Sequence, residues 1–346
     1  MSSPEIKLSK SSEGFTLLEL VVVLLILASV AGVALSTLGN NVEQQRFDDT
    51  RRKIKTVKQA ILGFPDRTIN GAPQISGFVA DVGRLPKCLE ELLTIAPTVG
   101  CDPNFDGDND ILTNTPPDAQ TFAYDATSNL WAGWRGPYLD VVADLDGVRR
   151  FRDGWGNQAN AAAIDSANFG WTYTSQDSDS DNDGDSLNLS SNGQNNIADD
   201  TTGTGFELQY PSGAGVANTL VFANELKTVA ATYNVPVNFY NDGIVETQDV
   251  CLRMYFPSTT GGGRVNSVIS TNANITVPEN SSFTQVFQFT NIDVASSHVS
   301  FDVLEATLGT CTGASTRYAS ANNPLNQIAL LSPRTGPLLS VDWISD

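Results

Sequence analysis

The longest pattern in the chain is an apolar block near its start. No residue from Leu20 to Leu38 is charged, and this length fits the ~20 apolar residues that a helix needs to cross the hydrocarbon core of a bilayer. The block also exceeds the apolar region of an ordinary cleaved signal peptide. The pattern therefore predicts a helix that spans a membrane, preceded by a short polar segment.

Helical spacing of apolar residues continues after this block. It runs from Val42 to Leu62, and no proline interrupts the segment before Pro65. Because proline cannot continue a helix and restricts the residue before it, the helix should end shortly before Pro65. We predict one long helix over residues 15–62, with its first half in lipid and its second half packed on a globular domain.

The pattern changes again toward the C-terminus. Residues 63–205 combine a short candidate helix, Cys88 to Ile95, with acidic loops. From residue 206 onward, short β-type runs are separated by Gly, Asn, Pro and Ser, a pattern typical of an antiparallel sandwich. The candidate strands are Thr219 to Phe222, Val235 to Tyr240, Asp249 to Phe256, Ser267 to Val277, Phe283 to Phe289 and His298 to Leu304. In the last run, apolar residues alternate with Ser300 and Asp302, which predicts a half-buried strand.

Composition narrows the classes of function. The chain has 346 residues, of which 39 are Asp or Glu and 20 are Lys or Arg, giving a formal net charge of −19. General binding to nucleic acid is disfavoured, because contacts to phosphates need an excess of basic side chains. The one histidine, His298, argues against a zinc cluster or a Ser/His/Asp triad. We predict that the chain is not an enzyme.

Four cysteines carry a second signal, since their number is even and no C-x-x-C pair occurs among them. Disulfide bonds are the expected use, and they would place this part of the chain in an oxidising compartment. We pair Cys88 with Cys101 and Cys251 with Cys311. Other connectivities, or four buried free thiols, remain open at this point.

One charge interrupts the start of the apolar block. Glu19 follows the string Gly14-Phe15-Thr16-Leu17-Leu18 and precedes a long uncharged run. A carboxylate in such a place is costly in lipid and suggests a function with a cationic partner. The string and its apolar helix closely resemble the processing site of type IV pilins and type II secretion pseudopilins.

That resemblance implies a role for three residues. A membrane peptidase, the prepilin peptidase, would cut after Gly14, and Phe15 would become the methylated N-terminus. Glu19 would pair with the N-terminal amine of a neighbouring subunit during filament assembly. The implied partners are copies of the chain, other pilin-like subunits, the prepilin peptidase and an inner-membrane assembly platform. Residues 1–14 would then be a leader peptide on the cytoplasmic side.

Two acidic loops are candidate Ca²⁺ sites. Both place carboxylate or amide oxygens on alternate residues around a glycine, as a loop that wraps a hard cation does, but both lack the glutamate that would complete an EF-hand. A solvated acidic turn or linker is the alternative for each. The favoured set is Asp181, Asp183 and Asp185, with Asp199 and Asp200 competing as further ligands. The other set is Asp102, Asn104, Asp106, Asp108 and Asp110.

The surroundings of the favoured loop resemble those of the major pseudopilin of type II secretion. Residues 134–139 read Trp-Arg-Gly-Pro-Tyr-Leu, and residues 153–157 read Asp-Gly-Trp-Gly-Asn. In that family, similar segments precede a loop that binds structural calcium. Gly154 here replaces the family's usual proline, and the acidic loop is longer than the family's.

The fold class expected from these signals is α+β. A long N-terminal transmembrane helix (residues 15–62) would pack on a small antiparallel sheet in a pilin-like domain (63–205), followed by an added all-β sandwich-like domain (206–346). The expected function is a structural subunit of a type IV pilus-like filament, first among these a type II secretion pseudopilin. The alternatives are a minor pilin of a type IV pilus and a surface adhesin that displays the β domain. The chain would start as a single-pass inner-membrane protein with a periplasmic globular part, and would then enter a periplasmic or cell-surface filament.

Overall fold

The computed structural model describes most of the chain in segments. These are residues 16–64, 67–69, 72–95, 120–157, 169–177, 184–194, 208–209, 219–241, 248–258, 263–271, 275–277, 280–305, 311–312, 315, 327–331 and 341–345. The chain divides into two compact units, residues 1–48 and residues 49–346. Each unit is described by itself.

The first unit consists of the start of helix α1 (Leu17–Leu62). Every side chain from Thr16 to Gly32 is exposed, although almost all of them are apolar. No helix in the described segments is both long and apolar enough to cross a membrane.

The second unit contains the rest of α1, two short helices, a short 3-10 helix (Leu89–Leu92) and all described strands. The helices are α2 (Phe78–Val82) and α3 (Ala223–Leu226). The strands are β1 (Thr68–Ile69), β2 (Ala72–Pro73), β3 (Ala123–Asp125), β4 (Leu130–Ala132), β5 (Trp171–Gln176), β6 (Ser186–Ser191), β7 (Leu208–Gln209), β8 (Thr219–Val221), β9 (Lys227–Asn241), β10 (Gln248–Pro257), β11 (Val265–Ile269), β12 (Ile275–Val277), β13 (Ser281–Ala295), β14 (Ser297–Glu305), β15 (Gln327–Leu331) and β16 (Val341–Ser345). An N-terminal helix followed mostly by sheets confirms the α+β class.

The last turns of α1 supply part of the core of the second unit. Ile54, Val57 and Ile61 are fully buried there, on the face that the helical spacing predicts. The helix ends at Leu62 as expected, and Gly63 takes a left-handed backbone (φ 68°) while its N–H donates to Gln59 O at 2.8 Å. A Cβ at this position would also collide with the backbone of Ser76, so glycine is required here for both reasons.

A small antiparallel sheet is built around β6, which pairs with β5, β7 and β8. Strands β5 and β6 precede the predicted domain boundary at residues 205 and 206, whereas β7 and β8 follow it. The boundary itself lies outside the described residues. Residues from both sides of it therefore share one sheet within the second unit.

The C-terminal strands form two further sheets. One has the order β11-β10-β14-β15, with β12 also paired to β10, and the other has the order β13-β9-β16. All of these pairs are antiparallel except β16 with β9, which is parallel. Buried side chains from both sheets make one apolar cluster, in which Phe239, Phe287 and Met254 are fully buried. This arrangement agrees with the predicted sandwich-like β domain.

Strand β14 departs from the half-buried pattern that its sequence suggests. Ser300 and Asp302 are buried together with Val299, Phe301 and Val303. The reason is that the second face of β14 is covered as well, since α2 and β4 pack near it and Ser300 donates from Oγ to Ser128 O. The alternation in the sequence correctly predicts that one face of β14 is apolar. It does not show that other segments cover the polar face.

The predicted helix from Cys88 to Ile95 is shorter than expected. The structure has the 3-10 helix Leu89–Leu92, with Cys88 in extended backbone before it. Glu91 turns inward from this segment and accepts hydrogen bonds from the Lys87 N–H at 2.8 Å and from Arg84 Nη1 at 2.9 Å. A buried ion pair, which a helical pattern does not encode, therefore fixes the local backbone.

Candidate functional site

The start of α1 is closed by a reciprocal pair of side chains. Glu19 Oε2 accepts hydrogen bonds from the Thr16 backbone N–H and from Thr16 Oγ1, both at 3.0 Å. The Glu19 N–H in turn donates to Thr16 Oγ1 at 3.3 Å. This arrangement is a capping box, which satisfies N–H groups that the first helical turn leaves without partners. It also holds the carboxylate at the positive end of the helix.

The capping box fixes where the Glu19 carboxylate lies. The carboxylate contacts the backbone N–H of Thr16, the residue that follows Phe15 in the sequence. Thr16 is a residue of this site that the sequence analysis missed. The signal was present, because a Thr followed three residues later by Glu before an apolar run is a capping pattern.

The surface behind this carboxylate is apolar on all sides of the helix. Leu17, Leu25 and Val30 are among the most exposed large apolar side chains, with Leu25 68% exposed. A helix that is apolar all around is normally buried in a protein core or in lipid. The first unit therefore presents a surface that needs a covering partner, with one carboxylate at its tip.

The N-terminal sequence matches a known family here. Residues 9–35 match the family described as the prokaryotic N-terminal methylation motif. The chain carries the type IV pilin and pseudopilin signature. Gly14, Phe15 and Glu19 all fall inside the matched residues, although Gly14 and Phe15 lie outside the described structure. No curated protein and no solved structure matches the chain.

Beyond the pilin signature, one residue of the favoured acidic loop is described. Asp185 Oδ1 lies 3.0 Å from Lys227 Nζ, and both side chains are buried, with that of Lys227 only 1% exposed. Asp185 thus already has a cationic partner inside the protein. Its role as a Ca²⁺ ligand stays a prediction, and an ion bound there would lie close to this buried ammonium group.

The other predicted calcium ligands lie outside the described residues. These are Asp181, Asp183, Asp199 and Asp200, and also Asp102, Asn104, Asp106, Asp108 and Asp110. Among the residues whose positions are described, no group of three or more His, Cys, Asp or Glu side chains could hold a metal ion. Calcium binding by either loop stays a prediction.

The segment Asp153 to Asn157 is a hydrogen-bonding centre. Asp153 Oδ1 accepts from the N–H groups of Trp155 and Asn157, at 3.1 and 3.2 Å. Its Oδ2 accepts from Asn157 Nδ2 at 2.8 Å and from Ser191 Oγ at 2.9 Å. Burial raises the pKa of Asp153. These four donors occupy the carboxylate, which therefore braces the turn against β6.

The same turn also joins the sheet to α1. The Gly154 N–H donates to Thr50 Oγ1 at 2.9 Å, and Lys53 Nζ donates to Asp153 O at 3.2 Å. Thr50 is itself buried. This turn resembles a pseudopilin motif in sequence, and its described contacts are those of a structural connector between helix and sheet.

The segment Trp134 to Leu139 has a similar structural role. Trp134 Nε1 donates to Glu91 O at 2.8 Å, and the Tyr138 hydroxyl donates to Asp81 Oδ2 at 3.0 Å. Arg135 Nη2 lies 3.1 Å from the same Asp81 oxygen. Burial raises the pKa of Asp81 even though Arg135 opposes that shift, and burial raises the pKa of Tyr138 as well. The peptide bond between Gly136 and Pro137 is cis.

The cysteines agree with the predicted pairing as far as they are described. Cys251 on β10 and Cys311 form a disulfide with a Cα–Cα distance of 6.3 Å. Cys88 is also disulfide-bonded, and its predicted partner, Cys101, lies outside the described residues. The Cys251–Cys311 bond ties the central strand of the larger sheet to the chain that follows β14.

Proposed function

We propose that the chain is a structural subunit of a type II secretion pseudopilus. In this proposal the leader is cut after Gly14, Phe15 is methylated, and the mature subunit assembles through its N-terminal helix. The observation that carries the proposal is the match of residues 9–35 to the N-terminal methylation motif. The position of Glu19 at the tip of an exposed apolar helix supports it.

Glu19 would act by exchanging partners. In the isolated subunit its carboxylate accepts hydrogen bonds from Thr16. In the filament it would instead face the cationic amine of Phe15 on a neighbouring copy. A carboxylate in apolar surroundings is strongly favoured once it gains such a partner and is penalised without one. The charge would therefore select the correct axial register between subunits.

The exposed apolar side chains of residues 17–32 would be covered in two successive ways. Lipid of the inner membrane would surround them before assembly, and the same helices of other subunits would surround them afterwards. Burying apolar area is favourable by roughly 25 cal/mol per Å², so a bundle of such helices would give the filament a continuous core. Prepilin peptidase and the inner-membrane assembly platform would be the partners that act between these two states.

A minor pilin of a type IV pilus, or an adhesin mounted on such a filament, is the second candidate. The observation that favours it is the C-terminal sandwich, which has its own apolar cluster and its own disulfide. Such a domain could bind a ligand at a cell surface. Location separates the candidates, because pseudopilus subunits stay in the periplasm and adhesins are accessible to antibody on intact cells.

We assign the chain no catalytic step under either candidate. Its single histidine, His298, lies on β14 as a strand residue.

Blocking the processing step tests the proposal. Gly14→Ser expressed with prepilin peptidase should leave the full-length precursor, while the wild-type chain becomes shorter by the leader. Ser11→Ala, a change inside the leader but away from the cut, is the matched control and should be processed normally. A wild-type chain that stays full length beside an active peptidase would refute the proposal.

A further inference from the structure

An exposed row of aromatic side chains lies on the ribbon formed by β3 and β4. Tyr124 and Trp131 are direct cross-strand partners, and their ring centroids are 5.6 Å apart. Phe122 stacks on Trp131 at 5.6 Å with an angle of 22° between the ring planes. We call Phe122, Tyr124 and Trp131 the aromatic platform. Trp131 is 59% exposed and Tyr124 is 46% exposed, so these two rings face solvent, whereas Phe122 is half-buried.

The platform rests on a rigid base. On the opposite face of the ribbon, Leu130 and Ala132 are buried in the second unit. Gly133 lies at one end of the ribbon and has a φ of 108°. A Cβ at this position would collide with the backbone of Gln120 and Thr121. The Gly133 N–H donates to Asp81 O at 2.7 Å. The rings are thus presented by a backbone that is fixed from behind.

Polar groups border the rings. The Tyr124 hydroxyl donates to Asn129 Oδ1 at 2.7 Å. At the other end, the Arg135 guanidinium lies 5.4 Å from the centre of the Phe122 ring and is held by Asp81, with about half of its side chain exposed. An apolar surface with a few fixed polar groups at its edge is the usual make-up of a small-ligand site.

The size of the platform argues against a protein partner. Aromatic side chains of this type cover about 150–250 Å² each when fully exposed, so the exposed part of the three rings is on the order of 300 Å². A stable protein interface needs about 800 Å² on each partner.

Binding of nucleic acid is disfavoured by the formal net charge of the chain, which is −19. Bases do stack on exposed aromatic rings, but such binding also needs a basic groove for the phosphates. A neutral carbohydrate needs neither a large interface nor a basic groove. The C–H face of a sugar ring stacks on an aromatic face, and its hydroxyl groups can bond to polar side chains at the edge. The exposed rings of Trp131 and Tyr124 have centroids 5.6 Å apart, a span that suits one or two linked sugar rings.

We propose that the aromatic platform is a binding site for a neutral polysaccharide. Trp131 and Tyr124 supply the exposed stacking faces, and the half-buried Phe122 stacks on Trp131 and supports its ring. Asn129 and Arg135 receive the sugar hydroxyl groups. This activity goes beyond filament assembly and does not depend on it.

Retention on insoluble polysaccharides tests the site. The full chain is purified in a detergent without a sugar headgroup and mixed separately with cellulose, chitin and cross-linked amylose. The wild-type chain should be depleted from solution by at least one of the three. Trp131→Ala and Tyr124→Ala should each weaken that retention by about tenfold, the factor that ~1.4 kcal/mol produces. Both side chains are exposed, so each change should lower the melting temperature only slightly, through the loss of ring contacts within the platform.

Tyr240→Ala is the matched control, because Tyr240 on β9 is 43% exposed and lies outside the platform. It should bind like the wild-type chain. The proposal is overturned if none of the three polysaccharides retains the wild-type chain, or if Trp131→Ala is retained as well as the wild type. It is also overturned if Trp131→Ala lowers only the sedimentation of assembled filaments, since the platform would then be a contact between copies.

Discussion

At the scale of single residues, Glu19 can fill two roles, one before assembly and one during it. Its hydrogen bonds to Thr16 stabilise the first turn of the isolated helix, and its negative charge is available to a neighbour's amine once subunits meet. The first role needs only an acceptor oxygen, whereas the second needs a full charge. Substitutions that separate the acceptor from the charge therefore distinguish helix capping from assembly.

Glu19→Gln should insert and be processed, yet enter filaments poorly beside wild-type subunits. Hydrogen bonds to charged groups contribute roughly 1.5–3 kcal/mol, so we expect about a tenfold or larger loss of the tagged variant from sheared filaments. Thr16→Val, which removes the capping hydroxyl but keeps the carboxylate, should assemble nearly normally. Equal incorporation of Glu19→Gln and wild type would make Glu19 a helix cap alone.

At the scale of elements, one buried and one partly buried ion pair join segments that the sequence pattern treats as separate. Lys58 on α1 lies 2.7 Å from Glu225 on α3, and Lys227 at the start of β9 pairs with Asp185 just before β6. Asp185 also donates its backbone N–H to Gln176 O at 2.7 Å. These contacts connect α1 to α3, and the small sheet to the C-terminal sandwich. They add to the apolar core that holds the second unit together.

Removing only one partner of the Lys227–Asp185 pair should lower the free energy of unfolding strongly. Lys227→Met leaves a buried carboxylate without its ammonium partner, which typically costs about 3–5 kcal/mol. Combining it with Asp185→Asn, which removes the charge, should recover most of that loss. Urea unfolding of a fragment covering residues 49–346 measures both variants. A Lys227→Met fragment as stable as the wild type would show that the pair contributes nothing to the fold.

The sequence predicted the positions of helices and strands better than the tertiary contacts between them. The end of α1, the candidate strands that became β8, β10 and β14, and the Cys251–Cys311 bond follow from proline, alternation and cysteine number. The early part of β9, and β15 and β16, were missed, although Tyr233 lies between Thr232 and Asn234 in β9 and Asp342 lies between Val341 and Trp343 in β16, the alternation of a half-buried strand. The burial of Ser300 and the pairing of Asp185 depend on segments distant in sequence, which a local pattern does not record.

At the scale of the whole molecule, two exposed surfaces are expected to bind partners. The exposed apolar helix of residues 16–32 suits other subunits, and the aromatic platform on the second unit suits a sugar. The strong net negative charge is compatible with both, because neither partner needs to be a polyanion. The acidic loops add a third expected partner, the calcium ion.

Calcium should raise the melting temperature of the 49–346 fragment relative to EGTA. An ion that binds only the folded state adds about 2.7 kcal/mol of stability when it is present at a hundred times its dissociation constant. Asp181→Ala combined with Asp183→Ala should abolish the effect if the favoured loop binds the ion. Asp106→Ala combined with Asp108→Ala is the matched control for the other loop. Identical melts of the wild-type fragment in calcium and EGTA would identify both loops as solvated.

The most direct test of the account is the intact mass of the subunit in purified filaments. The proposal predicts a chain that begins at Phe15 and carries one methyl group on its N-terminal amine. Fragmentation of the N-terminal peptide locates that group. Filaments whose subunit retains Met1, starts at another residue, or has an unmodified Phe15 would contradict processing through the pilin signature. So would the absence of the chain from any filament fraction of cells that produce it.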